Sequence, residues 1–214
     1  MARDTGRIRV LVVEDHFMVR VGLAAIINSQ PDLATVAEAK NGLEGVELFR
    51  QHRPDVTLMD LRIPGLDGVK AISAILKESP QARIIVISTY GGDEDIFRAM
   101  QAGARGYYQK HVDGQELLNA IRAVHAGECR VPPEIAARLA QRTARAELSP
   151  RELQVLELMA RGLSNRAIAA ELDISDGTVR VHVSHLLAKL GCGKRAQAVS
   201  EAFQRGYIHL AAPE

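Results

Sequence analysis

The sequence predicts an α/β domain built on a doubly wound parallel sheet, followed by a small all-α domain. Three observations carry this. Between residues 8 and 127, short apolar runs alternate five times with stretches whose apolar residues recur at helical spacing. That alternation implies a parallel sheet with right-handed crossovers, covered by helices on both faces. After Gly127 the alternation stops, and from Ser149 onward only helical spacing remains. The third observation is chemical: the apolar runs of the first part end in acids, hydroxyls and a lysine.

Ile8 to Val13 reads as the first strand. Phe17 to Ile27 reads as a helix, with Phe17, Val21, Ala24, Ala25 and Ile27 as its apolar positions. Ala34 to Ala37 is a weaker second strand and Leu43 to Phe49 a second helix. Val56 to Met59 is a buried central strand. Val69, Ile72, Ala74, Ile75 and Leu76 suit a third helix, which must end before Ser79-Pro80. Arg83 to Ile87 is the fourth strand, and a short helix about Ile96, Ala99 and Met100 stops at Gly103. Tyr107 and Tyr108 lie in the fifth strand, and Leu117, Leu118, Ile121 and Val124 mark a fifth helix ending at Gly127. The first domain is thus residues 1–127. Within residues 128–147, Val131-Pro132-Pro133-Glu134 breaks the pattern and Glu134 to Ala146 is rich in Ala and Arg, which reads as a linker with a possible helix. Residues 148–214 form the second domain. Ser149, Pro150 and Glu152 make a capping box with proline at the first helical position. Helices follow from there to Gly162, over Asn165–Leu172, from a Ser175 cap to Leu190, and over Ala196–Phe203. The short break over Asp173–Asp176 gives helix-turn-helix spacing.

Composition narrows the function classes. No run approaches the about 18 apolar residues of a membrane span, and Met1-Ala2-Arg3-Asp4 does not open a signal peptide. These point to a cytoplasmic protein. Cys129 and Cys192 stand alone, without metal-ligand spacing. Net charge is +1, and residues 148–214 hold 8 basic and 7 acidic side chains, so no strong basic field announces nucleic acid.

The strand ends are more informative. In a doubly wound sheet, sites gather at the carboxyl edge. Val12-Val13 runs into Glu14-Asp15, Val56 to Met59 into Asp60, Ile85 to Ile87 into Ser88-Thr89, and Gly106-Tyr107-Tyr108-Gln109 into Lys110. Three neighbouring carboxylates repel one another unless a cation sits among them. Hard oxygen donors favour Mg²⁺. A carboxylate left free could attack phosphorus, with Lys110 neutralising the phosphoryl oxygens and Ser88 donating a hydrogen bond.

Residues 8–126 resemble the receiver domain of two-component response regulators. The resemblance rests on Val13-Glu14-Asp15, on Met59-Asp60-Leu61-Arg62-Ile63-Pro64-Gly65-Leu66-Asp67-Gly68, on Ser88-Thr89, and on Gly103-Ala104-Arg105-Gly106-Tyr107 leading to Lys110. It implies a flavodoxin-like fold with strand order 2-1-3-4-5, and Asp60 as the acceptor of a phosphoryl group from a sensor histidine kinase. It implies Glu14, Asp15, Asp60 and the backbone carbonyl of Arg62 as Mg²⁺ ligands, Ser88 as the switch hydroxyl, Tyr107 as the switch aromatic and Lys110 as the phosphoryl contact. Two features depart from the family pattern: His111 follows the lysine where Asp or Pro is usual, and Gly91-Gly92 loosens the loop after the fourth strand.

In the second domain, Val179, Val183, Leu186 and Leu190 form an inward stripe on the third helix. Gly177, Arg180, Val181, Ser184 and Ala188 form another face, short-chained and holding one cation. A helix that enters a major groove needs such a face; a plain protein-binding bundle has the same spacing. Leu148 to Ile208 resembles the LuxR-type helix-turn-helix of NarL/FixJ-type response regulators. The matching pieces are Leu148-Ser149-Pro150-Arg151-Glu152, Gly162 to Ala169, Ile174 to His182, and Lys189-Leu190. The resemblance implies base contacts from Arg180 and Val181, with Ser184 standing where lysine is frequent. Thr178, Lys194 and Arg195 are candidates for phosphate contacts, and the fourth helix for dimerisation. The expected function is a transcription regulator that binds double-stranded DNA as a homodimer when Asp60 is phosphorylated, working with RNA polymerase. Its one expected chemistry is its own Mg²⁺-dependent phosphoryl acceptance and autodephosphorylation. Two rivals are a phosphohydrolase with Asp60 as nucleophile and a receiver that acts only by binding protein. The first commonly places a second acid two residues on, where Arg62 stands.

Overall fold

The computed structural model describes residues 6–89, 92–143 and 146–208. Residues 1–5, 90–91 (with the expected loop residue Gly91), 144–145 and 209–214 lie outside that description. The chain divides into two compact units, Met1–Tyr90 with Ile96–Ala137, and Gly91–Asp95 with Arg138–Glu214.

The first unit holds β1 (Ile8–Val13), α1 (Phe17–Asn28), β2 (Leu33–Ala39), α2 (Gly42–His52), β3 (Val56–Met59), α3 (Gly68–Glu78) and β4 (Ile84–Ser88). There follow α4 (Asp93–Gln101), whose first turn falls in the other unit, then β5 (Gly106–Gln109) and α5 (Gly114–His125). The five strands are parallel in the order β2-β1-β3-β4-β5. Both neighbours of β3 are strands, so Val56 to Met59 are buried without alternation, as expected of a central parallel strand. Side chains still alternate in direction. Val10, Val12, Leu58, Ile85 and Ile87 face one layer of core with Ile27, Leu117, Leu118, Ile121 and Val124.

Helix α1 corrects the sequence reading. Phe17 and Val21 are exposed, at 64% and 42%, and Ala25 is exposed as well. The side that packs is Leu23, Ala24 and Ile27, with Arg20 at its upper end. Both stripes are apolar at i, i+4 spacing, so periodicity alone cannot say which one meets the sheet.

Helix α6 (Pro133–Thr143) forms in the stretch between the two expected domains, and the division into compact units falls within it, after Ala137. The second unit continues with α7 (Pro150–Ala160), α8 (Asn165–Glu171), α9 (Asp176–Leu190) and α10 (Arg195–Arg205). Each start has a local cause. Ser149 and Glu152 form the full capping box, Ser164 accepts from the Ala167 N–H, and Ser175 accepts from the Thr178 N–H. Gly191 ends α9 in the left-handed conformation, at φ +70°. Val155, Leu156, Met159, Ile168, Val179, Leu186 and Ala198 share one core. Cys129 and Cys192 are free thiols, and no helix among the described residues is long and apolar enough to cross a membrane.

Glu152 ties this unit together. Besides its capping role it accepts from Lys189 Nζ at 2.7 Å, joining α7 to the end of α9. Burial alone would raise its pKa. The bonds from Lys189 and Ser149 outweigh burial and hold the carboxyl below its usual value of 4.5. A depressed folded-state pKa stabilises above the unfolded value, and that contribution is lost as pH falls through the folded one. Glu152→Gln should therefore cost about 1 kcal/mol at neutral pH. Its deficit in melting temperature against the natural chain should shrink as pH falls below 4.5. A deficit independent of pH would remove the ionised carboxylate from the account.

Candidate metal centre and nucleic-acid interface

The register of the sheet assembles the first site. Val13 of β1 pairs with Met59 of β3, so the next residues, Glu14 and Asp60, leave the sheet side by side. The Asp60 N–H donates to the Val13 carbonyl at 2.9 Å, and the Glu14 N–H to that of Ala39 at 2.9 Å. Ser88 pairs with Gln109, and the N–H of the next residue, Lys110, donates to the Ser88 carbonyl at 3.0 Å. Four of the strands thus deliver reactive side chains to one edge.

Lys110 is the hub. Its Nζ donates to Asp60 Oδ2 at 2.8 Å and lies 2.6 Å from Glu14 Oε2. Burial pulls its pKa down, but the bonds to Asp60 and Glu14 prevail and the net shift is upward. The ammonium is therefore fixed as a cation. Asp60 and Glu14 are both buried, and Asp60 Oδ1 accepts from the Arg62 N–H at 3.2 Å. The turn after Asp60 is tight. A Cβ on Gly68 would come within 2.2 Å of the Asp60 carbonyl oxygen, and Gly65 has φ +76°. Ser88 Oγ is buried without a hydrogen-bond partner, and so is Asp15 Oδ1. A buried unsatisfied hydroxyl costs about 1–3 kcal/mol, which an incoming acceptor oxygen would recover. Tyr107 is fully buried in β5.

Two residues of this pocket escaped the sequence reading. Arg20 Nη1 donates to the Glu14 carbonyl at 2.7 Å and to that of Asp15 at 3.3 Å, pinning the loop that carries both acids. A lone arginine on an apolar helix face was the available signal. His16 places Nδ1 3.0 Å from Glu14 Oε1 and 2.9 Å from Asp15 Oδ1. Ligand atoms from Glu14, Asp15, His16 and Asp60 all lie within 4.8 Å of one another. The oxygen donors and the unsatisfied Asp15 Oδ1 suit a hard divalent cation.

On α9, Val179, Leu186 and Leu190 are buried and Val183 is half-buried, while Gly177, Thr178, Arg180, Val181, Ser184 and Ala188 are exposed. His185, not anticipated, is exposed too. Arg180 Nε donates to Asp176 Oδ2 at 2.8 Å, an exposed pair one turn apart. Such a pair is worth little in water and opens readily. Lys194 is exposed. Arg195 is engaged inside the unit, donating to the Leu163 carbonyl at 2.6 Å and to Asn165 Oδ1 at 3.0 Å.

Residues 10–122 match the family model for the response regulator receiver domain, and residues 146–202 that for the bacterial regulatory proteins of the luxR family. The chain is a two-component response regulator of the NarL/FixJ type. Relatives of similar build span nearly its whole length. The nitrate/nitrite response regulator protein NarL of Escherichia coli K12 is 38% identical over 88% of this chain and 92% of its own. The transcriptional regulatory protein LiaR of Bacillus subtilis is 37% identical over 94% of this chain and 100% of its own. Among solved structures, the response regulator ChrA of a heme-sensing two-component system is 37% identical, covering 95% of this chain and 100% of its own, at a TM-score of 0.57. As a response regulator with a LuxR-type DNA-binding domain, the chain is a transcription regulator, and its class works with a histidine kinase and with DNA. Receiver domains typically bind Mg²⁺ at an acidic pocket, and this response regulator has the acidic cluster in that place.

Proposed function

We propose that Asp60 is the phosphoacceptor of this response regulator and that its phosphorylation controls dimerisation and sequence-specific DNA binding. In this reading residues 1–127 are the receiver, 128–147 the linker and 148–214 the DNA-binding domain. The carrying observation is Asp60 itself: buried at the sheet edge, beside Glu14 and held by Lys110 at 2.8 Å. An Asp60 carboxylate oxygen attacks the phosphorus of a kinase phosphohistidine. The phosphorus–nitrogen bond breaks and an acyl phosphate forms. Glu14, Asp15, Asp60 and the Arg62 carbonyl would hold Mg²⁺, which when bound would neutralise charge on the phosphoryl oxygens. Lys110 turns from carboxylate to phosphoryl oxygen. Ser88 gains the acceptor its buried hydroxyl lacks, and Tyr107 follows it. Water later returns Asp60 to a carboxylate by autodephosphorylation. The test is labelling by acetyl phosphate with and without Mg²⁺: a Mg²⁺-dependent, hydroxylamine-sensitive label supports the reading, and its absence defeats it.

In this reading Arg180, Val181 and Ser184 face base edges and Thr178, Lys194 and Arg195 face phosphates, Arg195 being also tied to the Leu163 carbonyl. Binding to RNA polymerase and a cytoplasmic location belong to the same reading. Arg180 gives a sharp test. If it reads a base, Arg180→Ala costs about 1–3 kcal/mol at the specific site and relaxes one base position. An even loss on all sequences would make it a phosphate contact instead. Selection of sites from random DNA by the two proteins distinguishes these outcomes.

A further inference from the structure

We infer that Asp176 is a positioning residue for base reading: its carboxylate holds the Nε edge of Arg180 and aims the outer edge of the guanidinium at a guanine. The inference rests on the reading of Arg180 as a base contact and deepens it, by naming the base and the residue that orients the contact.

Asp176 is the first residue of α9, and the start of the helix is capped without its side chain. Ser175 does the capping. Its Oγ accepts from the Thr178 N–H at 3.0 Å and lies 2.8 Å from Thr178 Oγ1. The Asp176 carboxylate turns to Arg180 instead, accepting from Nε at 2.8 Å. Helical side chains lean towards the N-terminus, over the turn before their own. In that turn, the residues at helical spacing from Arg180 are Asp176 and Gly177. Gly177 brings no side chain, and Val183 and Ser184 on the following turn bring no charge. Asp176 is thus the one charged neighbour that α9 gives Arg180 at these spacings.

A guanidinium is a rigid planar fork of N–H donors without acceptors. Asp176 takes the single donor on Nε, while Nη1 and Nη2 make no hydrogen bond among the described residues. Holding Nε closes the side of the fork that pairs Nε with one Nη. What is left is the end, where Nη1 and Nη2 donate in parallel. That end needs two acceptors side by side, and guanine presents N7 and O6 in the major groove. Adenine presents one acceptor and one donor there, so a fork of donors alone rejects it. The anchor also works against the commonest distraction for an arginine on DNA. A phosphate that drew Arg180 sideways would approach the Asp176 carboxylate, and like charges oppose that.

In water the pair is weak, because Arg180 is 72% and Asp176 39% exposed. A groove strips that water away, and the same contact strengthens as the local dielectric falls. Its work is therefore done in the complex and not in the fold.

The test uses the full chain with beryllofluoride and Mg²⁺ present throughout, and a pool of double-stranded DNA of random sequence. The natural chain should enrich guanine at the position that Arg180→Ala relaxes. Competition titration then compares the selected duplex with one carrying an adenine–thymine pair at that position. The natural chain should prefer guanine by about tenfold or more. Asp176→Ala should retain only about two- to threefold, with affinity for random DNA kept or raised because a negative charge has left the phosphate neighbourhood. Asp176→Glu, which keeps a carboxylate one turn before Arg180, should restore the preference. With Arg180→Ala already in place, Asp176→Ala should change nothing further at that position. An Asp176 that only steadies the helix start through the dipole would lower affinity evenly on every duplex. That even loss alone, an undiminished guanine preference in Asp176→Ala, or a base other than guanine at the position relaxed by Arg180→Ala overturns the inference and leaves Arg180 as a base reader. Relaxation of no position by Arg180→Ala, or selection of no sequence by the natural chain, overturns both.

Discussion

Asp60→Asn should take no phosphoryl label from acetyl phosphate and Mg²⁺, while keeping the melting profile of the natural chain. The loss is chemical rather than structural. Asparagine has the same shape, its carbonyl still accepts from Lys110 Nζ or from the Arg62 N–H, and only the nucleophilic, negatively charged oxygen disappears. The substitution also relieves crowding of like charge between Glu14 and Asp60, so folding has no reason to suffer. Glu14→Gln and Asp15→Asn make the informative contrast. Each keeps the nucleophile and removes one charged oxygen from the cation's surroundings, so labelling should persist and should need more Mg²⁺. The measurement is label incorporated against Mg²⁺ concentration for the four proteins. Label on Asp60→Asn at the level of the natural chain would move the acceptor to one of the other two acids.

How far the sequence discloses this arrangement differs from residue to residue, for physical reasons. β1 and β3 appear at the residues expected, because an apolar run of four to six that ends in an acid has few other stable placements. The five-strand order follows the receiver resemblance, and the register does the rest: once Val13 faces Met59, Glu14 and Asp60 must adjoin. The starts of α7 and α9 are legible because Ser149 and Ser175 precede their first turns. The inner face of α1 is not legible, because Phe17, Val21 and Ala25 repeat with the same period as the residues that pack. His16 and Arg20 are missed for another reason. Each acts on the loop just before its own helix, through hydrogen bonds whose geometry exists only when the chain has turned from β1 into α1. Arg195 shows the converse. It is a candidate phosphate contact beside the reading helix, and its guanidinium also donates to the Leu163 carbonyl and Asn165 Oδ1, a pairing the sequence does not show. Charge is visible in a sequence, and the partner it will choose is not.

Beryllofluoride with Mg²⁺ should convert a mostly monomeric protein into a dimer that binds DNA more tightly. On α9, Arg180 is the one exposed Lys or Arg between Asp176 and Leu187. A single helix with so little charge binds one half-site weakly, since phosphate and base contacts both scale with cations in reach. Two such helices on a twofold axis bind together, and the second binding step becomes intramolecular. Affinity for a paired site therefore rises steeply when the receiver supplies the dimer. The receiver has the parts of a two-state element. Ser88 carries a buried hydroxyl without a partner, and Tyr107 is fully buried in the adjacent strand. In the proposed mechanism a phosphoryl analogue on Asp60 would offer Ser88 an acceptor, and movement of Ser88 and Tyr107 would reshape the surface of α4, β5 and α5. The analogue shifts that equilibrium only by its difference in affinity for the two states, and about 5.5 kcal/mol of difference is needed to carry it from 1:99 to 99:1. Sedimentation should report a doubled mass with the analogue, and a titration on paired half-sites a tighter curve; a single half-site should respond far less. Ser88→Ala, which removes the hydroxyl but not the acceptor, should bind the analogue and stay mostly monomeric. If mass and DNA affinity ignored the analogue while Asp60 was demonstrably occupied, control would have to run through a partner protein instead of through dimerisation.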